Sequence, residues 1–199
     1  MEITQQTQLI AFDFDGTLFV NDVANWKAYQ HALKQHGFDM TFEMYKEHCD
    51  GYDYRTFLGL LFDITDEKLL TEIHDMKKAI YPKYYKFIAP DTALLNIAKS
   101  KHGKCATAIV STASRQSIEE ILEIFNCRDL FDFIIAKEDV THQKPSPEGY
   151  LHAMIRANAC PSTTTIFEDS DTGVTSAVLS GATVLRVVRH NHTTSFVPQ

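Results

Sequence analysis

The apolar positions of the chain follow two rhythms. Short continuous runs recur at LIAFDF (9–14), CATAIV (105–110), FDFIIA (131–136), TTIFE (164–168) and TVLRVV (183–188), rich in β-branched or aromatic residues. Runs of that length and composition predict buried strands of a parallel sheet. Between the later runs, helix ends are readable. Ser114 predicts a cap for a helix through IEEILEIF, Ser146 a cap with Pro147 at the first helical position, and Gly181 the close of a helix that starts near Asp171. Strand and helix alternate from about residue 91 to 188. That alternation predicts an α/β fold with a Rossmann-like parallel sheet and helices on both of its faces.

Nearly 90 residues separate the first strand from the second, and their texture differs. Trp26, Tyr29 and Leu33 keep helical spacing toward Gly37, and Thr41 predicts a cap for FEMYKEHC. Asp53 opens a further helix that carries Arg55, and DEKLLTEIHDMKKAI is an amphipathic helix ending at Pro82. A crossover this long exceeds an ordinary connection. It predicts an all-helical inserted cap over residues 20–89, with residues 1–19 and 90–199 forming the α/β core.

Composition narrows the class. A chain of 199 residues with 44% hydrophobic positions is large enough to bury its own core as one domain with an insertion. The formal net charge of −7 argues against a nucleic-acid or anionic-membrane partner. Scattered Cys49, Cys105, Cys127 and Cys160 fit reduced thiols rather than zinc ligands or a disulfide scaffold, and His190 with His192 reads as a polar tail. No apolar run approaches the roughly 18 residues of a membrane span, and the opening MEITQQTQ lacks the regions of a signal peptide. The expectation is a cytoplasmic protein, monomeric or weakly homodimeric.

Candidate chemistry sits where the apolar runs stop. Asp13 and Asp15 end the first run, followed by Gly16 and Thr17. Residues two apart in extended chain point to the same side, so two carboxylates crowd one spot and call for a cation. Alone, the pair reads equally well as turn aspartates before a glycine. The second run ends at Ser111 and Thr112, able to hold an anion before a helix or simply to cap it. Lys144 stands in a proline-stiffened loop, either a fixed cation or a solvated one. Glu168 and Asp169 end the fourth run, as metal oxygens or as an acidic cap. In an open parallel sheet all four stretches reach the carboxyl edge, where ligands bind. Two acids, a hydroxyl, an amine and a metal site are the parts phosphoryl transfer requires.

The order AFDFDGTLF, AIVSTAS, HQKPSP and IFEDSDTG resembles the four signature motifs of the haloacid dehalogenase superfamily, and the insertion resembles its C1 cap. EDSxxG is similar to the branch holding β-phosphoglucomutase-like and phosphoglycolate-phosphatase-like enzymes. The resemblance implies a hydrolase in which Asp13 is the nucleophile that forms an aspartyl-phosphate and Asp15 the acid and then the base. It implies that Ser111 and Lys144 hold the phosphoryl group. Mg²⁺ would be held by Asp13, the Asp15 carbonyl and Asp169, with Glu168 in or beside the shell. Asp171 matches no ligand of the family. Relatives that break carbon–halogen or phosphonate bonds lack an acid at the Asp15 position, so Asp15 points to a phosphate ester. Thr17 and Thr112 join the expected substrate contacts.

The loop GYDYRT (51–56) of the cap offers Arg55 for a second anionic group and Tyr52 for a pocket wall, or solvated and cap-core side chains. Mutases of the β-phosphoglucomutase type carry a histidine early in the cap, where this chain has Asn25 and Trp26. A Mg²⁺-dependent phosphatase of a small phosphorylated metabolite is therefore expected. The alternatives are a phosphomutase and a receiver-like phosphoacceptor, and the latter lacks both DxDGT and a cap. Many relatives also continue beyond the last strand, whereas this chain closes on RHNHTTSFVPQ.

Overall fold

The computed structural model describes residues 8–49 and 52–189. Residues 1–7 of the polar opening, Gly51 and the His190 to His192 tail lie outside the described residues. In chain order the elements are β1 (Leu9–Phe12), β2 (Phe19–Val20), α1 (Asp22–Gln35), α2 (Phe42–His48), α3 (Tyr54–Phe62), α4 (Glu67–Ile80), β3 (Ala89–Pro90) and α5 (Thr92–Lys101). They continue as β4 (Ala106–Val110), α6 (Arg115–Ile124), β5 (Phe133–Ile135), α7 (Glu148–Ala157), β6 (Thr164–Glu168), α8 (Asp171–Leu179) and β7 (Thr183–Arg186).

Five strands form one parallel sheet in the order β5-β4-β1-β6-β7. Successive side chains of a strand face opposite ways, and β1 shows the consequence. Leu9 and Ala11 join a cluster with Tyr150, Ala153 and Met154 of α7 and Ala177 of α8. Phe12 joins the opposite cluster with Leu94 and Ala98 of α5 and Ile118, Ile121 and Leu122 of α6. The fold is thus α/β, a Rossmann-like sheet covered by helices on both faces. Each fully buried large apolar side chain contributes roughly 1.5–3 kcal/mol, so Leu9 and Phe12 anchor β1, the strand that leads into Asp13, in the core on both faces.

The insertion is helical for most of its length but not at its ends. Its departure and return pair as a two-stranded antiparallel ribbon, Phe19 with Pro90 and Val20 with Ala89. A 3-10 turn, Tyr81–Phe87, follows α4 with Pro82 inside it, so the chain tightens at Pro82 rather than stopping there. A separate apolar cluster holds Tyr29, Leu33, Met40, Phe57, Leu58 and Ile73 together. Ala24 and Ala28 of α1, by contrast, pack into the core cluster on the α5 and α6 side, so α1 spans both bodies.

Local chemistry accounts for the helix ends. Thr41 accepts from Met44 N at 3.2 Å, Asp53 from Arg55 N at 3.0 Å and Ser114 from Ser117 N at 3.3 Å. The expected boundary at Ser146 moves by one residue. Pro147 occupies the cap position of α7 and Ser146 Oγ accepts from Glu148 N at 3.3 Å. The first strand likewise ends at Phe12 rather than Phe14, although Asp13 N still donates to Phe167 O at 2.9 Å.

Candidate active site

Three adjacent strands, β4, β1 and β6, run parallel and deliver their carboxyl ends to one place. Asp13 follows β1, Ser111 follows β4, and Glu168 closes β6 with Asp169 next. The loop before α7 brings in Lys144. Its Nζ lies 2.6 Å from Asp13 Oδ1, 2.5 Å from Glu168 Oε1 and 2.9 Å from the Val110 carbonyl.

Two glycines make this approach feasible. Gly16 turns the chain at φ +85°, and a Cβ on it would stand 2.2 Å from Asp169 Oδ2. A Cβ on Gly173 would stand 1.8 Å from Glu168 Oε1. The glycine of DFDGT therefore makes room for Asp169 of EDSDTG, and the glycine of EDSDTG for Glu168 of its own motif.

Electrostatics follow from burial. Burial, aided by the carboxylates of Glu168 and Asp169, pushes Asp13 well above the usual carboxylate range, against the pull of Lys144. Burial alone would discharge Lys144, yet the Asp13 and Glu168 carboxylates hold it protonated, well above the ordinary lysine range. Asp13 Oδ2 is buried with no hydrogen-bond partner among the described residues. Asp13, Glu168 and Asp169 each offer an oxygen, all within 4.8 Å of one another. An orphaned buried oxygen among crowded carboxylates is a donor set that fits a hard divalent cation such as Mg²⁺.

Asp15 stands across from these acids, on the cap side. Burial raises its carboxyl above the ordinary range, against the Lys77 ammonium and a hydrogen bond from Asn21. Asn21 Nδ2 donates to Asp15 Oδ1 and also lies 3.2 Å from Tyr81 Oη. Neither Asn21 nor Lys77 is marked by a motif. Lys77 does leave a trace, since it continues the apolar stripe Leu70, Ile73 at helical spacing toward Tyr81. Its Nζ sits 4.3 Å from the Tyr81 ring and 5.1 Å from that of Tyr29. Burial lowers the Lys77 pKa to about 8.

The remaining expected residues divide. Ser111 is buried, its Oγ accepting from Ala113 N at 3.0 Å. Thr112 lines the cleft, as do Lys144, Asn25 and Asp15. Thr17, expected to touch substrate, is instead fully buried and donates to Asp169 Oδ1 at 2.9 Å, because the tight turn at Gly16 aims it at the acid. Glu168 has both oxygens engaged, Oε1 by Lys144 and by Tyr150 Oη at 3.0 Å, and Oε2 by Ser170 N at 3.2 Å. This makes it the holder of Lys144. Arg55 is exposed and donates to Glu67 Oε2 at 3.1 Å, while Tyr52 is 63% exposed, so both stand on the rim of the cleft. The cleft, about 1010 Å³, separates the acids from a cap wall of Tyr29, Tyr54, His74 and Lys77. Tyr54 stacks on His74 at 3.9 Å, and burial holds His74 neutral, its pKa near 4.

Among the described residues no helix is long and apolar enough to cross a membrane. The sequence profile of haloacid dehalogenase-like hydrolases matches residues 10–187. A phosphorylated carbohydrates phosphatase of Thermotoga maritima is 27% identical over 189 residues, covering 92% of this chain and 86% of that protein. A fructose-1-phosphate phosphatase of Escherichia coli is 24% identical over 176 residues, covering 86% of this chain and 92% of that protein. The crystal structure of a putative haloacid dehalogenase-like hydrolase from Bacteroides fragilis superposes with a TM-score of 0.81 at 28% identity, over 96% of this chain and 91% of that one. The chain belongs to the haloacid dehalogenase-like hydrolase family.

Proposed function

We propose that the protein is a Mg²⁺-dependent phosphatase of a small phosphorylated metabolite, a sugar phosphate in the first instance, acting through an aspartyl-phosphate on Asp13. The observation that carries this reading is the contact of Lys144 with both Asp13 and Glu168 beside an unpartnered Asp13 oxygen. The sugar preference draws on the two relatives described above and on a cap wall of tyrosines and a lysine, which suits hydroxyls and apolar ring faces.

Asp13, oriented by Lys144, attacks phosphorus, and the charge that develops on the phosphoryl oxygens is met by Lys144 and the Ser111 hydroxyl. Asp13, Asp169 and the Asp15 carbonyl would hold the Mg²⁺, with Glu168 beside them, and the ion would neutralise charge on the phosphoryl group. Asp15 protonates the leaving oxygen. Its raised pKa keeps that proton available, and the same carboxylate then takes a proton from the water that cleaves the acyl phosphate. The wall of the cap excludes bulk water while this happens. Asn25, where a mutase would place a histidine, lines the cleft and favours hydrolysis over transfer back to substrate.

Phosphate release from a panel of sugar phosphates, with Mg²⁺ and with chelator, tests the reading. Release that requires Mg²⁺ supports it. Absence of release from every ester, an activated aryl phosphate included, would contradict it.

A further inference from the structure

Arg189 follows the last strand, outside every stretch that supplies the acids, the hydroxyl or the amine. Its guanidinium nevertheless reaches back to the catalytic edge. Nε donates to the Gly16 carbonyl at 2.8 Å and Nη2 to the Thr17 carbonyl at 2.6 Å, while Nη1 lies 3.4 Å from Asp91 Oδ2. The two carbonyls belong to the turn that carries Asp15. That turn is closed by Gly16 N on Phe19 O at 2.8 Å and Phe19 N on Phe14 O at 3.0 Å. Asp91 belongs to the other connection, directly after β3, where the chain returns from the cap. Its N–H donates to the Leu18 carbonyl at 2.8 Å and its Oδ1 caps α5 through Leu94 N at 2.9 Å.

One planar cation therefore joins the turn that carries Asp15, just before the chain departs into the cap, to the segment by which the chain returns from it. The fork geometry of arginine suits two adjacent carbonyls and a carboxylate at once, which a lysine ammonium cannot match. A cap that opens for substrate and closes for reaction turns about these two connections. We propose that Arg189 is a positioning residue, whose guanidinium clamps the Asp15 turn to the return strand so that the acid and the hinge of the cap are held as one unit. Its kinetic consequence rests on the phosphatase reading above, whereas the clamp itself does not.

Amide hydrogen exchange of the full chain, wild type against Arg189→Ala and Arg189→Lys, tests the clamp without substrate. In the alanine variant the amides of Gly16, Phe19 and Asp91 should exchange about tenfold or more faster, the loss expected for charged hydrogen bonds. Amides of β1 and β4 should keep their rates, and the lysine variant should fall between. With a sugar phosphate that the wild type hydrolyses, kcat should drop several-fold more than KM changes, and less so with an aryl phosphate whose leaving group needs no proton. Unchanged exchange at the three amides would overturn the proposal. So would equal acceleration throughout β1 and β4, which marks a general loss of stability. Loosened hinge amides in a protein whose wild type hydrolyses no ester would support the clamp and remove the phosphatase reading instead.

Discussion

The Lys144 ammonium lies 2.6 Å from Asp13 Oδ1 although 131 residues separate the two in sequence. The same nitrogen meets Glu168 Oε1 at 2.5 Å. One cation thus sits between two buried acids.

Lys144→Met should therefore cost more than activity. Removing one partner of a buried ionic cluster leaves uncompensated charge and destabilises by about 3–5 kcal/mol. Mg²⁺ should restore part of that loss, since an ion bound only by the folded state stabilises it. Urea denaturation with and without Mg²⁺ measures both effects. A variant as stable as the wild type in chelator would show that the acids do not depend on Lys144.

Gly173→Ala should be tolerated poorly despite lying in a helix, where alanine is normally the better residue. The added Cβ would fall 1.8 Å from Glu168 Oε1, so Glu168 must move and release Lys144. A loss of about 1–3 kcal/mol, the usual cost of overpacking, should accompany a sharp fall in kcat. A stabilised, fully active variant would show that the approach of α8 to Glu168 is not needed.

The sheet was legible in the sequence because each strand is a short apolar run with a polar stop, and the meeting of Asp13, Lys144, Glu168 and Asp169 because such stops share one edge of a parallel sheet. Thr17 and Arg55 were not legible. A hydroxyl after a glycine turn reads alike whether it faces substrate or Asp169, and nothing in GYDYRT shows that Glu67, at the start of the next helix, takes up the Arg55 guanidinium. Arg189 was hidden for a further reason. Its partners are the carbonyls of Gly16 and Thr17, and main-chain groups leave no signature in residue type.

Lys77 supplies a pH prediction. Burial lowers its pKa to about 8 from an ordinary value near 10.5. Between those values the unfolded chain binds the extra proton, so the contribution of this group to stability rises with pH across that window. Lys77→Met removes the buried charge and should stabilise the fold at pH 7 by about 1–2 kcal/mol after allowing for solvent screening. It should also raise KM for sugar phosphates at pH 7. The wild-type KM should climb as pH passes about 8, whereas that of the variant should not. A wild-type KM flat from pH 7 to about 9 would place Lys77 away from the substrate.

Asp15→Asn separates the acid from the nucleophile. Alkyl phosphates, whose leaving oxygens need a proton, should lose about a hundredfold or more in kcat, and aryl phosphates much less. Because burial raises the Asp15 pKa, ionising it in the folded state costs stability above its unfolded value, so the variant should be at least as stable as the wild type at pH 7. Equal losses on both ester classes, measured side by side, would remove Asp15 as the acid.

The most direct measurement is Mg²⁺-dependent phosphate release by wild type and Asp13→Asn on the same aryl phosphate, with folding of both checked by circular dichroism. The account predicts a folded variant whose turnover falls about a thousandfold or more. Turnover that survives the substitution would mean that the carboxylate held by Lys144 is not the group that attacks phosphorus.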